Sequence, residues 1–285
     1  MTQIVHLNGA LLPIDDAHVS VLDRGFIFGD GVYEVIPVYS RRPFRLHEHL
    51  RRLQHSLDGI RLQNPHTMAE WEALIHELIG HNDMQDQSVY LQVTRGPAPR
   101  DQAFPKTVRP TVFMMCMELP APPASVVEHG IRAVSARDFR WERCDLKVVS
   151  LLPNVLLRQH SADAGCEETI MFRDGILTEG SASNIFAVEN GVILTPPKDS
   201  HVLPGITYDV VLELAEAEGI PVDFGHFEES RIREADELWC TSSTKEILAI
   251  VELDGRPIAN GKPGPIYRRM YQLYQAYKNG VMRHG

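Results

Sequence analysis

Apolar and polar positions along this chain switch between two periods. Ile4-Val5-His6-Leu7 and Ala10-Leu11-Leu12 flank Asn8-Gly9, a turn dipeptide, and predict a hairpin. Residues 32–39, rich in Val and Ile, predict a strand. Leu46, Leu50, Leu53, Leu57 and Ile60 then recur at steps of four and three, the stripe of an amphipathic helix. A second helix is expected near 68–79, and strands over 88–94 and 111–118. The run Leu119-Pro120-Ala121-Pro122-Pro123-Ala124-Ser125 cannot continue a helix or a central strand, so it reads as an extended, semi-rigid linker.

Beyond the linker a strand is expected near 130–137 and a helix near 154–164, ended by Gly165. A meander follows over 168–173, 176–178, 183–188 and 192–195, with Asp174-Gly175 and Asn190-Gly191 at two turns. A helix capped by Thr207 and ending near Glu218, a short helix near 229–235 and a strand over 237–240 come next. A hairpin around Asp254-Gly255 and a helix over 265–278 complete the chain. The pattern predicts an α/β (α+β) chain of two domains, residues 1–119 and 129–285, joined by a linker over 120–128.

Composition narrows the classes. At roughly 100–200 residues per domain, 285 residues suit one large or two modest domains, and 44% hydrophobic content is ample for a core. Lys plus Arg is 28 and Asp plus Glu is 38, a formal net charge of −10, which argues against non-specific nucleic-acid binding. Neither a signal-peptide pattern nor an apolar run long enough to span a bilayer is visible. Cys116, Cys144, Cys166 and Cys240 are scattered without a C-x-x-C pair, which predicts reduced thiols in a cytoplasmic protein.

Several common chemistries lack their spacing. Phe28-Gly29-Asp30-Gly31 does not match G-x-G-x-x-G, and G-x-S-x-G is absent. His47, His49 and His55 lack H-E-x-x-H spacing, so no metal site is expected; His47 and His49, two apart, point to different helical faces. Other residues suit a phosphate-bearing aldehyde cofactor, which needs an amine, an anion at its ring nitrogen and donors for its phosphate. Lys147 stands between Leu146 and Val148, which predicts a semi-buried amine, although a lone Lys is usually solvated. Glu179 precedes Gly180-Ser181-Ala182-Ser183, either a turn beside a ligand or an ordinary surface turn. Leu203-Pro204-Gly205-Ile206-Thr207 leads into a helix and could present free N–H groups near Ile206 and Thr207. Thr241-Ser242-Ser243-Thr244 offers further hydroxyl and N–H donors, or is simply a turn. Arg52, on the helical face of His49, is a candidate charge or a surface arginine.

Taken in order, seven segments resemble the fold-type IV pyridoxal-phosphate enzymes, and within them the D-amino acid aminotransferases. They are residues 23–34, Glu48-His49-Leu50-Arg51-Arg52-Leu53, Val93-Thr94-Arg95-Gly96, Arg143-Cys144-Asp145-Leu146-Lys147, Thr178-Glu179-Gly180-Ser181-Ala182-Ser183-Asn184, Gly205-Ile206-Thr207 and Thr241-Ser242-Ser243-Thr244. The resemblance implies a small N-terminal and a larger C-terminal α/β domain with pyridoxal 5'-phosphate between them, in a homodimer. It implies that Lys147 carries the cofactor, Glu179 pairs with its ring nitrogen, and Arg52, Ile206, Thr207 and Ser243, with Ser242 nearby, hold its phosphate. Tyr33 would line the site, with His49 close to the substrate carboxylate. In that family an Arg and a His two residues apart help to trap this carboxylate; here the loop has Arg100 and, in place of the His, Gln102, which donates hydrogen bonds but carries no charge. The implied reaction is ping-pong transfer of an amino group from a D-amino acid such as D-Ala or D-Glu to a 2-oxo acid. Branched-chain aminotransferase and aminodeoxychorismate lyase are the rivals of the same fold, and a non-catalytic cofactor carrier is a third.

Overall fold

The computed structural model describes residues 3–284. Its contacts divide them into two compact units. The first runs to Pro120 and takes in Leu146–Leu151 and the C-terminal residues from Met282; the second holds Ala121–Asp145 and Leu152–Val281.

The first unit is built on a sheet of order β2-β1-β6-β5-β3-β4. In chain order its elements are β1 (Ile4–Leu7), β2 (Ala10–Pro13), α1 (Arg24–Phe28), β3 (Gly31–Tyr39), β4 (Arg42–Pro43), α2 (Leu46–Gly59), α3 (Met68–Gly80), β5 (Gln87–Thr94) and β6 (Thr111–Glu118). The β1–β2 turn sets Asn8 at φ 52° and Gly9 at φ 90°, the left-handed pair that a two-residue hairpin requires. The apolar stripe of α2, Leu46, Leu50, Leu53 and Leu57, is buried as its spacing predicts. So are three polar residues of the same helix, His49, Arg52 and Ser56. Thr67 caps α3 through a capping box with Glu70.

The second unit holds α4 (Ala124–His129), β7 (Ile131–Arg137), α5 (Leu152–Asp163), β8 (Glu168–Arg173), β9 (Ile176–Gly180), β10 (Asn184–Glu189), β11 (Val192–Thr195) and α6 (Ile206–Ala217). It continues through β12 (Val222–Phe224), α7 (Glu229–Arg233), β13 (Glu237–Ser242), β14 (Glu246–Leu253), β15 (Arg256–Pro257) and α8 (Pro265–Tyr277). Its sheet runs β12-β11-β10-β13-β14-β7-β8-β9, with β15 paired to β14. A core of Ile170, Ile185, Leu194, Leu238, Ile250 and their neighbours fills one region of it.

Two local expectations are corrected. The linker expected over 120–128 turns helical at Ala124: Pro123 at the N-cap has φ −56°, and its carbonyl accepts from Val126 and Val127. Helix α6 starts one residue before Thr207 and is capped by Gly205, so Thr207 lies inside the first turn and does not cap it. No helix among the described residues is long and apolar enough to cross a membrane.

Candidate active site

In the first unit, Leu146–Leu151 lies antiparallel along the start of β3. Val32 bridges Val148, Tyr33 N–H donates to the Lys147 carbonyl (2.9 Å), and Val149 N–H donates to that of Gly31 (3.0 Å). Leu146 and Val148 turn into the core while Lys147 stays half-buried, as the alternation in sequence suggests. The Lys147 Nζ sits 4.1 Å from the centroid of the Tyr33 ring, within cation–π reach. Its backbone N–H donates to the Ser56 hydroxyl of α2 (3.0 Å).

The next residue of β3, Glu34, points to the other side of the strand and is fully buried. Arg52 grips it with two bonds, Nε to Oε1 and Nη2 to Oε2, both 2.7 Å, and His49 Nδ1 lies 2.8 Å from Oε2. Burial alone would raise the carboxyl's pKa, but the Arg52 charge and bonds outweigh it and hold Glu34 at about 2. Burial pushes the His49 pKa down, against Glu34 and with help from the charges of Arg52 and Lys147, so this imidazole is neutral near pH 7. Its Nε2 is buried with no hydrogen-bond partner among the described residues.

Arg100 and Gln102 are exposed on the loop between β5 and β6. The loop is strapped from behind. Arg24 donates to the carbonyls of Gln102 and Ala103 (3.3 Å each) and to Asp30 (2.7 Å); Arg95 binds Asp30 and stacks over Phe104 at 3.8 Å. Arg100 itself lies 5.4 Å from the Phe28 ring centroid. No hydrogen bond or ring contact joins Arg100 or Gln102 to Tyr33, His49 or Lys147 among the described residues. Tyr33, His49, Arg52 and Lys147 thus gather into one cluster through Glu34 and Ser56, and the loop pair stands apart from it.

In the second unit Glu179 ends β9 and is buried. Arg140 Nη1 pairs with its Oε1, while Leu203 N–H (3.0 Å) and Asn184 Nδ2 (3.4 Å) donate to Oε2. Burial raises the Glu179 pKa, and Arg140 works against that rise. Arg140 is in turn fixed by Asp138, through Nε (3.0 Å) and Nη2 (2.9 Å); the Thr178 hydroxyl also donates to Asp138 (3.0 Å). Burial opposes ionisation of Asp138, but Arg140 and Arg173 hold its pKa at about 2.

Asn184 connects this carboxylate to α6. Its Nδ2 also donates to the Leu203 carbonyl (2.9 Å), and its Oδ1 would lie only 2.1 Å from a Cβ placed on Gly205. Only glycine allows this approach, and α6 therefore begins without a side-chain cap, its first-turn amides at Ile206 and Thr207 free of one. Across the sheet Asn184 pairs with Thr241, whose hydroxyl is buried without a partner among the described residues. Ser242 ends β13 and its Oγ accepts from Lys245 N–H (3.0 Å), which shapes the Ser243–Lys245 turn. Glu179, Ile206, Thr207, Ser242 and Ser243 are therefore brought to the β10 and β13 ends that meet at Asn184. No group of three or more potential metal ligands occurs among the described residues.

Comparison with known proteins identifies the lineage. The profile of the amino-transferase class IV family matches residues 31–253, a span that holds every one of these positions. The chain belongs to this family. D-alanine aminotransferase of Staphylococcus epidermidis is 36% identical over 273 residues, covering 96% of this chain and 97% of that enzyme. That of Bacillus licheniformis is 36% identical over 271 residues, 95% of each. Among solved structures, a T.th. branched-chain amino acid aminotransferase with pyridoxamine 5'-phosphate superposes with a TM-score of 0.91 at 26% identity, covering 100% of this chain and 96% of that one. The branched-chain aminotransferase of Thermoproteus uzoniensis with norvaline gives 0.89 at 27%, with 100% and 96% covered.

In this class IV aminotransferase the main partners that sequence reasoning passed over are Glu34, Asp138, Arg140 and Asn184. Glu34 had a readable signal: His49, Arg52 and Ser56 recur at steps of three and four, a polar stripe beside the leucines of α2, and such a stripe needs an acceptor. Arg140 had none, since Glu179 lies far along the chain from it and only the fold joins them.

Proposed function

We propose that this class IV aminotransferase is a pyridoxal-phosphate-dependent D-amino acid aminotransferase, passing amino groups between D-amino acids such as D-Ala or D-Glu and 2-oxo acids such as pyruvate or 2-oxoglutarate. The observation that carries the reading is 36% identity to D-alanine aminotransferases along nearly the whole of both chains. The branched-chain enzymes share the fold at 26–27% identity.

The residues fit the cofactor. Two buried polar atoms, His49 Nε2 and Thr241 Oγ1, lack partners among the described residues, and the Gly205 cradle leaves the α6 amides uncapped for an anion. Ile206, Thr207, Ser242, Ser243 and Arg52 would hold the phosphate, and Glu179 the ring nitrogen. When bound, pyridoxal phosphate supplies the electron sink for carbanion chemistry at the substrate Cα. Lys147 Nζ would hold the cofactor, and the same amine is placed to serve as the general base for the substrate Cα proton. Tyr33, its ring centroid 4.1 Å from that nitrogen, would line the site beside it. Arg140 opposes the upward push of burial on Glu179 and so favours the anionic carboxylate that would hold a protonated ring nitrogen. Arg100 and Gln102 would meet the substrate carboxylate, Arg100 as the charged donor and Gln102 as a neutral one. His49, neutral and fixed by Glu34 through Nδ1, keeps Nε2 as a buried acceptor for a donor in the site.

The reading carries with it a cytoplasmic homodimer. Leu152, Val155 and Leu156 of α5 are 68%, 58% and 53% exposed at helical spacing, an apolar face suited to a second copy. The test is spectroscopic. The wild-type protein is loaded with pyridoxal phosphate and mixed in turn with D-Ala and L-Leu while the long-wavelength absorbance is followed. Faster loss with D-Ala is expected, and Lys147→Ala should never develop the band. Faster loss with L-Leu would transfer the protein to the branched-chain reading.

A further inference from the structure

Behind the residues assigned to the cofactor lies an ion pair that the mechanism does not use. Glu168, on β8, is fully buried. Its Oε2 accepts from Lys245 Nζ (2.9 Å) and the Ser183 hydroxyl (2.8 Å). Its Oε1 accepts from the Ser181 hydroxyl and N–H (3.0 Å to the nitrogen) and from Thr169 N–H (2.9 Å). A carboxylate with this many donors is saturated, and taking it out of water is worthwhile only with a cation present. That cation is Lys245, in the turn whose Ser242 and Ser243 are assigned to the phosphate. The serines at the other end belong to the loop that follows Glu179. Gly180, between them and Glu179, has no space for a side chain: a Cβ would lie 2.2 Å from Ser183 Oγ and 3.1 Å from the Glu168 carboxyl carbon. The loop is thus pressed onto Glu168 without slack. A second pair steadies the turn from outside, since the next residue, Glu246, binds Lys278 and accepts from Gln275 (2.6 Å), both beyond β14 in the chain.

We infer that Lys245 and Glu168 are positioning residues that tie the phosphate turn to the loop behind Glu179, so that both ends of the cofactor cradle are set by one buried pair. The inference rests on the cofactor reading above. A lysine that served only to solubilise or stabilise the unit would leave cofactor binding alone. As a coupling element, Lys245 instead acts at a distance, on the ring end as well as the phosphate end.

The experiment compares wild type, Lys245→Met, Lys245→Arg and Glu168→Gln. Three quantities are read: equilibrium dialysis of pyridoxal phosphate against the apoprotein, the pH midpoint of the long-wavelength band, and thermal unfolding of the apoprotein. Lys245→Met and Glu168→Gln are expected to weaken binding by roughly 10–100-fold, the size of effect that outer partners have on a bound group. Both should also displace the pH midpoint, which reports the nitrogen linking the cofactor to Lys147 and responds through the ring to the charge that Glu179 would hold. Lys245→Arg, which keeps the charge, should restore affinity to within about 3-fold, and it serves as the decisive variant if Lys245→Met does not fold. Unchanged affinity and midpoint in Lys245→Met, with only earlier unfolding, would overturn the inference. So would an arginine variant as weak as the methionine one. A wild-type protein that fails to take up pyridoxal phosphate overturns the cofactor reading, and this inference with it.

Discussion

Replacing Glu34 by Gln is the sharpest test of how the first half of the site is held. Glutamine keeps the shape and still accepts one bond from Arg52, but it removes the negative charge that this guanidinium, itself 7% exposed, grips with two bonds. Two routes give the size of the effect. Holding the Glu34 carboxyl at about 2 instead of its ordinary 4.5 corresponds to ~3 kcal/mol of stability at neutral pH. Stripping one partner from a buried pair costs roughly 3–5 kcal/mol. At ~2–4 °C per kcal/mol, Glu34→Gln should lower the melting temperature of the apoprotein by roughly 6–20 °C at pH 7. Because the folded-state pKa is depressed, this stability is fully present above about 4.5 and fades as pH falls towards 2. The gap between wild type and variant should therefore narrow in acid. The double variant Glu34→Gln/Arg52→Met should melt above the sum of its single losses, since it removes the buried cation together with its counter-charge. Calorimetry across roughly pH 3 to 7 measures all of this. A loss below about 2 °C at pH 7, or strictly additive single losses, would refute the reasoning.

Three further outcomes follow from the same geometry. Arg140→Met removes the cation that opposes the upward push of burial on Glu179, so the acid limb of the pH–rate profile should move to higher pH and kcat should fall by roughly 10²-fold; an unmoved acid limb would separate Arg140 from Glu179 function. Gly205→Ala sets a Cβ 2.1 Å from Asn184 Oδ1, an overpacking of roughly 1–3 kcal/mol that should appear in dialysis as weaker pyridoxal-phosphate retention; undiminished retention would mean the cradle can shift. Arg100→Met should raise KM for D-Ala by roughly 10–100-fold with a smaller change in kcat, the worth of a charge-assisted bond of ~1.5–3 kcal/mol; an unaltered KM would remove Arg100 from the carboxylate site.

Much of the architecture was legible because it depends on local rules. The α2 stripe, the Asn8-Gly9, Asp174-Gly175 and Asn190-Gly191 turns and the strands of the meander each carry their signal within a few residues. The elements that escaped are short or lean on distant partners. Helix α1 is held by Asp23, whose carboxylate also takes the hydroxyls of Thr94 and Thr111, far along the chain. Strand β12 exists because β11 pairs with it in parallel. Proline-rich spacing hid α4, since a proline that cannot continue a helix can still open one.

The candidate site divides in the same way. The sequence alone determined the residue types: an amine flanked by apolar neighbours at Lys147, a carboxylate before small hydroxyl residues at Glu179, glycine before a helix at Gly205. Their order along the chain was enough to indicate a family, because the chemistry needs those groups and backbone rules limit where they can stand. Which charges meet was decided only by the tertiary structure. Glu34 faces Arg52 because β3 and α2 pack together, Arg140 reaches Glu179 from a loop well before it in the chain, and Lys245 closes on Glu168 across the sheet. Electrostatic pairing depends on distance in space and on exclusion of water. Neither is written in the spacing of residues, and both appear only when strands and helices have been brought into register.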